Sequence, residues 1–315
     1  MPENYADILI IGSGPAGLTA AQYGARANLD VLAVEQFAPG GQVLMIDVLE
    51  NYPGNAGKKT GVEIAADMHT QAIDFGAKFF TARVNELKKE GPVFTAVFDS
   101  GEEWKAPVTI IATGASHRKL GIPGEDRFAG RGVSYCATCD GAFFKGKKIF
   151  VAGGGDAACS DAQYLSRLSQ NVVLVHRRDR FRAEPYLAQK VLENENIEIR
   201  FNTIIKEIKG DKKISSLVLE NEGREYEETA DAVFIFAGTV PQSALVSTEK
   251  LKVQLDDHGY IITNQKMESS IPGLYAAGDV RSGTFRQVVV AAGEGAVAAH
   301  NAAGYINKLR GTDYS

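Results

Sequence analysis

The sequence predicts an α/β protein of two Rossmann-like, three-layer nucleotide-binding domains, the second inserted into a discontinuous first. Three observations predict it. A glycine-rich fingerprint, Gly12-Ser-Gly-Pro-Ala-Gly17, follows an apolar run near the N-terminus. A second, Gly153-Gly-Gly-Asp-Ala-Ala158, follows another apolar run at mid-chain. A further element of the first kind, Gly273-Leu-Tyr-Ala-Ala-Gly-Asp279, appears only after the second unit is complete.

The first unit reads as strand, turn, helix. Asp7-Ile-Leu-Ile-Ile-Gly12 enters the fingerprint, and the alanine-rich stretch from Pro15 to Ala27 supplies the helix. Gly12, Gly14 and Gly17 let the backbone turn and approach closely, while Pro15 and Ala16 open a helix whose N-terminus receives a pyrophosphate. A second apolar run, Val31-Leu-Ala-Val34, ends in Glu35, where this unit offers a carboxylate to the adenosine ribose hydroxyls.

The arrangement recurs in Lys148-Ile-Phe-Val151, then Gly153, Gly155, Asp156 and Ala157 at the turn, a helical segment to about Leu168, and Val172-Val-Leu-Val175. Gly12 to Glu35 spans 23 positions and Gly153 to His176 spans 23, so His176 falls where Glu35 falls. Arg177, Arg178 and Arg182 follow it. A carboxylate would repel a ribose 2'-phosphate, whereas guanidinium groups bind one through paired, charge-assisted hydrogen bonds. The first site therefore suits FAD and the second NADPH. The bland alternative is a solvated basic loop, and the shared register argues against it.

After each fingerprint unit comes a three-stranded excursion, Arg83 to Trp104 and Lys206 to Tyr226, with Gly91, Gly101, Gly210 and Gly223 at turns. The return strands end in Ala112-Thr-Gly114 and Ala237-Gly238, where Thr113, Gly114 and Gly238 pass beneath a nucleotide. Pro123 and Pro241 mark candidate crossings between domains. The expected division is 1–116 and 248–315 for the FAD domain and 117–247 for the inserted NADPH domain, which also holds the cysteine pair.

Composition narrows the function class. The chain has 315 residues, long enough for two domains, and a net charge of -5 that argues against a nucleic-acid partner. Met1 to Asp7 lacks the basic start and apolar core of a secretory leader, and no apolar run approaches spanning length, so a cytoplasmic protein without membrane contact is expected. Three cysteines are too few for a secreted disulfide framework.

Two of them, Cys136 and Cys139 in Ser134-Tyr-Cys-Ala-Thr-Cys-Asp-Gly141, lie just before the second fingerprint. A Cys-x-x-Cys pair closes a small, readily reduced disulfide. Half of a zinc site is the competing reading, but only Cys159 and five scattered histidines remain as further soft ligands, so no metal is expected. Asp140 stands beside the thiols as a candidate proton carrier, with an Asp-Gly turn as its structural alternative. Cys159, isolated in a helical segment, reads as a small core residue.

The chain closely resembles the low-molecular-weight thioredoxin reductases along essentially its whole length. The resemblance rests on Gly12-Ser-Gly-Pro-Ala-Gly17, Gly40-Gly-Gln42, Glu50-Asn-Tyr-Pro-Gly54, Cys136-Ala-Thr-Cys-Asp140, His176-Arg-Arg178 with Arg182, and Ala277-Gly-Asp-Val280 followed by Arg286-Gln-Val288. It implies FAD held by the first and last segments, with Gly41, Gln42, Asn51, Gly278, Asp279, Arg286, Gln287 and Val288 at the flavin site. It implies NADPH on the central domain, a homodimer, and a rotation of one domain that lets nicotinamide and dithiol take turns at the flavin. It assigns Cys139 to the flavin, Cys136 to attack on the disulfide of thioredoxin, and Asp140 to acid-base work. Arg131, Phe143 and Phe144 match positions near the docking loop for thioredoxin, although Ala142 stands where many relatives have phenylalanine. Without the register of His176, the arginines would carry no cofactor preference; with it, catalytic efficiency with NADPH should exceed that with NADH by at least about tenfold, measured by steady-state kinetics.

Overall fold

Short apolar runs of four or five residues, buried on both faces, form the three central strands of a five-stranded parallel sheet in each of two units. The computed structural model describes residues 4–312 apart from Asp47, Lys58 and Thr284; Met1 to Glu3, the start of the N-terminus expected not to be a leader, lie outside the described residues. The chain divides into two compact units, residues 1–116 with 240–315, and residues 117–239. Residues 240–247, expected with the central segment, belong to the first unit: Gln242 N donates to Gly114 O at 2.9 Å, and Val246 is buried with Leu9 and Ile261.

In the first unit, Leu274–Ala276, Val108–Ile111, Ile8–Ile11, Val31–Glu35 and Lys78–Thr81 lie side by side in that order, all parallel. Ile8 pairs with Val31 on one side and Val108 on the other. Alternation decides the layers. Ile8 and Ile10 face a core with the helices Pro15–Arg26 and Val288–Arg310, whereas Leu9 and Ile11 face the excursion strands Val84–Glu90, Val93–Phe98 and Glu103–Ala106.

The second unit repeats the plan with Ile197–Arg200, Val172–Val175, Ile149–Gly153, Ala232–Phe236 and Val133–Ser134, again all parallel. Ile149 and Val151 face helix Asp156–Ser166, and Phe150 and Ala152 face the antiparallel strands Thr203–Gly210, Ile214–Asn221 and Arg224–Thr229. Gly210 sits at a register shift in a strand rather than at the turn itself, which begins one residue later; a Cβ on it would lie 2.0 Å from Lys213 O. Among the described residues no helix is long and apolar enough to cross a membrane.

Small residues let helices Pro15–Arg26 and Val288–Arg310 meet closely. Ala16, Ala20, Ala291 and Ala298 share one core, and a Cβ on Gly295 would fall 2.1 Å from Ala16 O. Helix Val288–Arg310 ends on Gly311 at φ 68°, the left-handed position a glycine takes without strain. Gly295→Ala should therefore destabilise by about 1–3 kcal/mol through overpacking, seen as a lowered thermal unfolding midpoint.

Candidate functional site

Each unit carries a candidate nucleotide cradle at the C-terminal ends of its parallel strands, and the second unit also carries the cysteine pair there. In the first cradle, Gly12 has φ 99° and a Cβ on it would lie 2.4 Å from Ala112 O, while one on Gly17 would lie 1.9 Å from Gly12 O. Only hydrogen fits between this strand and helix. Gly14 caps helix Pro15–Arg26 with no side-chain acceptor, and Pro15 occupies its first turn, leaving the helix-start N–H groups for an anion. Glu35 Oε2 accepts from Ser13 N at 2.8 Å, and its other oxygen accepts from Gln36 N at 2.8 Å and Phe37 N at 3.3 Å. These bonds fix the carboxyl group at the strand end.

Around that cradle, Gly41 takes φ 57° and a Cβ there would stand 3.1 Å from Gly14 Cα. The Gln42 amide donates to Ala115 O, Thr113 Oγ1 donates to Gln242 O at 2.7 Å, and Asn51 Nδ2 donates to Gln287 Oε1 at 2.9 Å. Gly278, at φ 78°, donates its N–H to Glu294 Oε2 at 2.8 Å, and Glu294 pairs with Arg281 at 3.2 Å. Burial pushes the Asp279 carboxyl up, and Arg286 pulls it partly back. The Arg286 guanidinium lies 4.2 Å over the Tyr260 ring, and Asp279, Arg286, Val290 and Glu294 line one cavity beside the start of helix Val288–Arg310. Ser13 Oγ and Arg286 Nε are buried with no hydrogen-bond partner among the described residues. Orphaned donors, an uncapped helix start and glycines without room for a Cβ fit a dinucleotide such as FAD.

In the second cradle, a Cβ on Gly153 would lie 2.7 Å from both Ala158 Cβ and Phe236 O. Gly155 caps helix Asp156–Ser166 without a side-chain bond, Asp156 Oδ1 accepts from Glu184 N at 2.8 Å, Ala157 is exposed at the turn, and Gly238 takes φ 103°. His176 stands at the end of strand Val172–Val175, just before the arginines. It is buried, its imidazole pushed down by burial and then by Arg182, Arg178 and Arg177, so it is a neutral support. The ring lies under the fingerprint: a Cβ on Gly154 would sit 2.4 Å from it. Arg177, Arg178 and Arg182 are exposed and have no carboxylate ion pair among the described residues.

The dithiol sits after strand Val133–Ser134. Cys136 caps the short helix Ala137–Asp140, its Sγ accepting from Cys139 N at 3.1 Å, and the two cysteines form a disulfide with their Cα atoms 5.4 Å apart. Cys139 is exposed and Cys136 half-buried. Asp140 N donates to Cys136 O at 3.3 Å, and Asp140 closes the short helix one residue after Cys139. Phe143 is 80% exposed, whereas Phe144 is half-buried and packs edge-on against Phe234. Burial pushes the Cys159 thiol up to about 12, as suits a core residue. Among the described residues no three His, Cys, Asp or Glu side chains converge as a metal site.

Sequence pattern alone does not single out Ser13, Gly154 or Glu294. For Gly154 a signal exists, since a bulky residue in register with Glu35 needs space under the turn. Glu294 offers none, being one acid in an alanine-rich helix.

The family described as pyridine nucleotide-disulphide oxidoreductase matches residues 6–295. The chain is 47% identical over 310 residues to the thioredoxin reductase of Treponema pallidum, covering 98% of this chain and 99% of that one. The crystal structure of Lactococcus lactis thioredoxin reductase superposes with a TM-score of 0.93 at 41% identity, covering 96% and 99% of the two chains. That of T. acidophilum thioredoxin reductase gives 0.91 at 33% identity, covering 98% and 100%.

Gly154→Ala should displace His176 and disorder the second turn, raising the KM for NADPH about tenfold or more while FAD content, read by absorbance, stays unchanged.

Proposed function

We infer the activity of this chain from its membership: it belongs to the pyridine nucleotide-disulphide oxidoreductases and, within them, to the thioredoxin reductase family. We propose that it reduces the disulfide of a thioredoxin at the expense of NADPH. The observation that carries this reading is the Cys136–Cys139 disulfide, held at a strand end in the same unit as the arginine-lined fingerprint. FAD, when bound, supplies a two-electron relay between the nicotinamide and that disulfide.

The chain's own groups do the rest. Gly12, Gly14, Gly17 and Glu35 bind the adenosine and pyrophosphate end of FAD, and Asp279 with Arg286 orients its flavin end. Arg177, Arg178 and Arg182 hold the 2'-phosphate of NADPH. Reduction of the disulfide frees Cys136 and Cys139 as thiols. Cys136 then attacks the thioredoxin disulfide, forming a mixed disulfide and expelling one thioredoxin thiolate; Cys139 attacks Cys136 Sγ, restores the internal disulfide and releases reduced thioredoxin. Asp140 carries the proton that thiol and thiolate exchange. Exposed Phe143 offers an aromatic anchor to the protein substrate. The reading includes rotation of the NADPH unit about the two crossings, and a homodimer in the cytoplasm, whose mass light scattering would measure.

Purified, FAD-loaded enzyme should reduce thioredoxin with NADPH, and Cys136→Ser should abolish this while NADPH still bleaches the flavin under anaerobic conditions. Asp140→Asn should slow turnover about tenfold or more with FAD binding intact. If wild-type protein bleaches and its disulfide opens but no thioredoxin is reduced, the substrate assignment fails.

A further inference from the structure

Glu125 lies on neither nucleotide cradle, yet it is 2% exposed and carries a carboxyl group reached by four donors. These are Leu120 N at 3.0 Å, Gly121 N at 2.7 Å, Ile122 N at 3.4 Å and the Tyr135 hydroxyl at 2.7 Å. A buried acid saturated by donors is a fixed post, because moving any donor leaves a polar group unpaired in the interior. The Tyr135 phenol is pushed up by burial and then by Glu125, so it stays protonated and keeps donating. Its ring stacks on His117, with centroids 6.1 Å apart and planes 16° apart. His117 adds no charge there, since burial pushes its imidazole down.

Tyr135 stands between Ser134 and Cys136. Ser134 Oγ accepts from Cys136 N at 3.1 Å and donates to Cys136 O at 3.2 Å, so the main chain at the first sulfur is held by one neighbour. The other neighbour is held by its side chain on Glu125. Past Cys136 the chain is one short helical turn, Ala137–Asp140, and its bonds to Cys136 Sγ are local ones, from Cys139 N and with Thr138 Oγ1.

We propose that Tyr135, anchored on Glu125, is a positioning residue that presents Cys136 to Cys139 and thereby sets the reduction potential of the pair. This deepens the reading of the dithiol as the redox centre and rests on it. Closing the pair removes two protons and two electrons from the two thiols and forms one S–S bond; an added cyclic disulfide, oxidised dithiothreitol, accepts both electrons and both protons. The equilibrium constant of that exchange measures the effective concentration of one thiol at the other, which falls when the chain entering Cys136 is loosened.

The test equilibrates FAD-loaded full-length enzyme with mixtures of reduced and oxidised dithiothreitol, without NADPH, and reads the dithiol fraction by alkylation and mass spectrometry. Tyr135→Phe removes the hydroxyl and keeps the ring on His117. It should shift the equilibrium about fivefold toward the dithiol. Ser169→Ala, which removes the bond from Ser169 Oγ to Lys147 O elsewhere in the unit, should lower the unfolding midpoint and leave the equilibrium where it was. A Tyr135→Phe enzyme whose equilibrium matches wild type, whether or not its unfolding midpoint drops, overturns the proposal. Glu125→Gln should shift the equilibrium the same way, and the double variant should go no further than the larger single shift, because the two residues act as one anchor. Fully additive shifts would overturn that coupling. Since neither NADPH nor thioredoxin enters the measurement, an enzyme unable to serve thioredoxin would sink the earlier reading and leave this test standing.

Discussion

Everything in the first unit depends on one close approach, that of the Gly12 turn to the helix that follows it. With a Cβ on Gly17 only 1.9 Å from Gly12 O and one on Gly12 only 2.4 Å from Ala112 O, three backbones converge at a point where no side chain fits. That convergence aims the uncapped start of helix Pro15–Arg26 out of the sheet, brings Ser13 N onto Glu35, and leaves the ligand main-chain donors to meet. The helix Val288–Arg310 must then be small where it crosses, which is why Gly295 and Ala291 line its inner face. A binding site and a helix contact are thus satisfied by the same absence of side chains.

The internal duplication explains where the dithiol sits. In both sheets the fingerprint strand is central, with the strand ending in Glu35 or preceding His176 on one side and the return strand on the other. The fifth position beyond the return strand is filled by Leu274–Ala276 in the first unit and by Val133–Ser134 in the second. Gly278 and Asp279 follow the former; Cys136 and Cys139 follow the latter. The two strand ends are therefore topological equivalents, each at the C-terminal end of an added parallel strand, where such sheets commonly place their binding sites. In the second unit that strand comes from upstream of the fingerprint, so the dithiol is reached before its own nucleotide turn.

Both fingerprints, the excursions and the discontinuous first unit were legible because each is written locally, in a period, a glycine or a constant offset. The candidate site was legible where a residue type stands at a fixed spacing, as for the Cys136–Cys139 pair, which forms a disulfide, and for Glu35 at its strand end. It was opaque where a residue acts through a partner distant in sequence. Glu294 meets Gly278 N from 16 positions away, and Glu125 meets Tyr135 from 10, with nothing in either spacing to announce it. His176 shows the intermediate case: the constant offset singles out the position, but only the structure shows its ring packed against Gly154 and buried beside the arginines.

Several cations of this chain outside the second cradle are paired with acids. Arg281 pairs with Glu294, Arg310 with Asp7, Lys148 and Arg200 share Glu228, and Lys209 meets Glu227. Its acids also hold main-chain turns: Glu35 takes Ser13 N, Glu125 takes three N–H groups, and Asp231 takes Lys148 N. Against that background, Arg177, Arg178 and Arg182 are exposed and without an ion pair among the described residues, a local excess of positive charge on a protein of net charge -5. Asp179 lies among them in sequence and forms no ion pair with them, so their mutual repulsion is only partly offset. The 2'-phosphate of the proposed NADPH would relieve it, a dianion set beside a glycine turn.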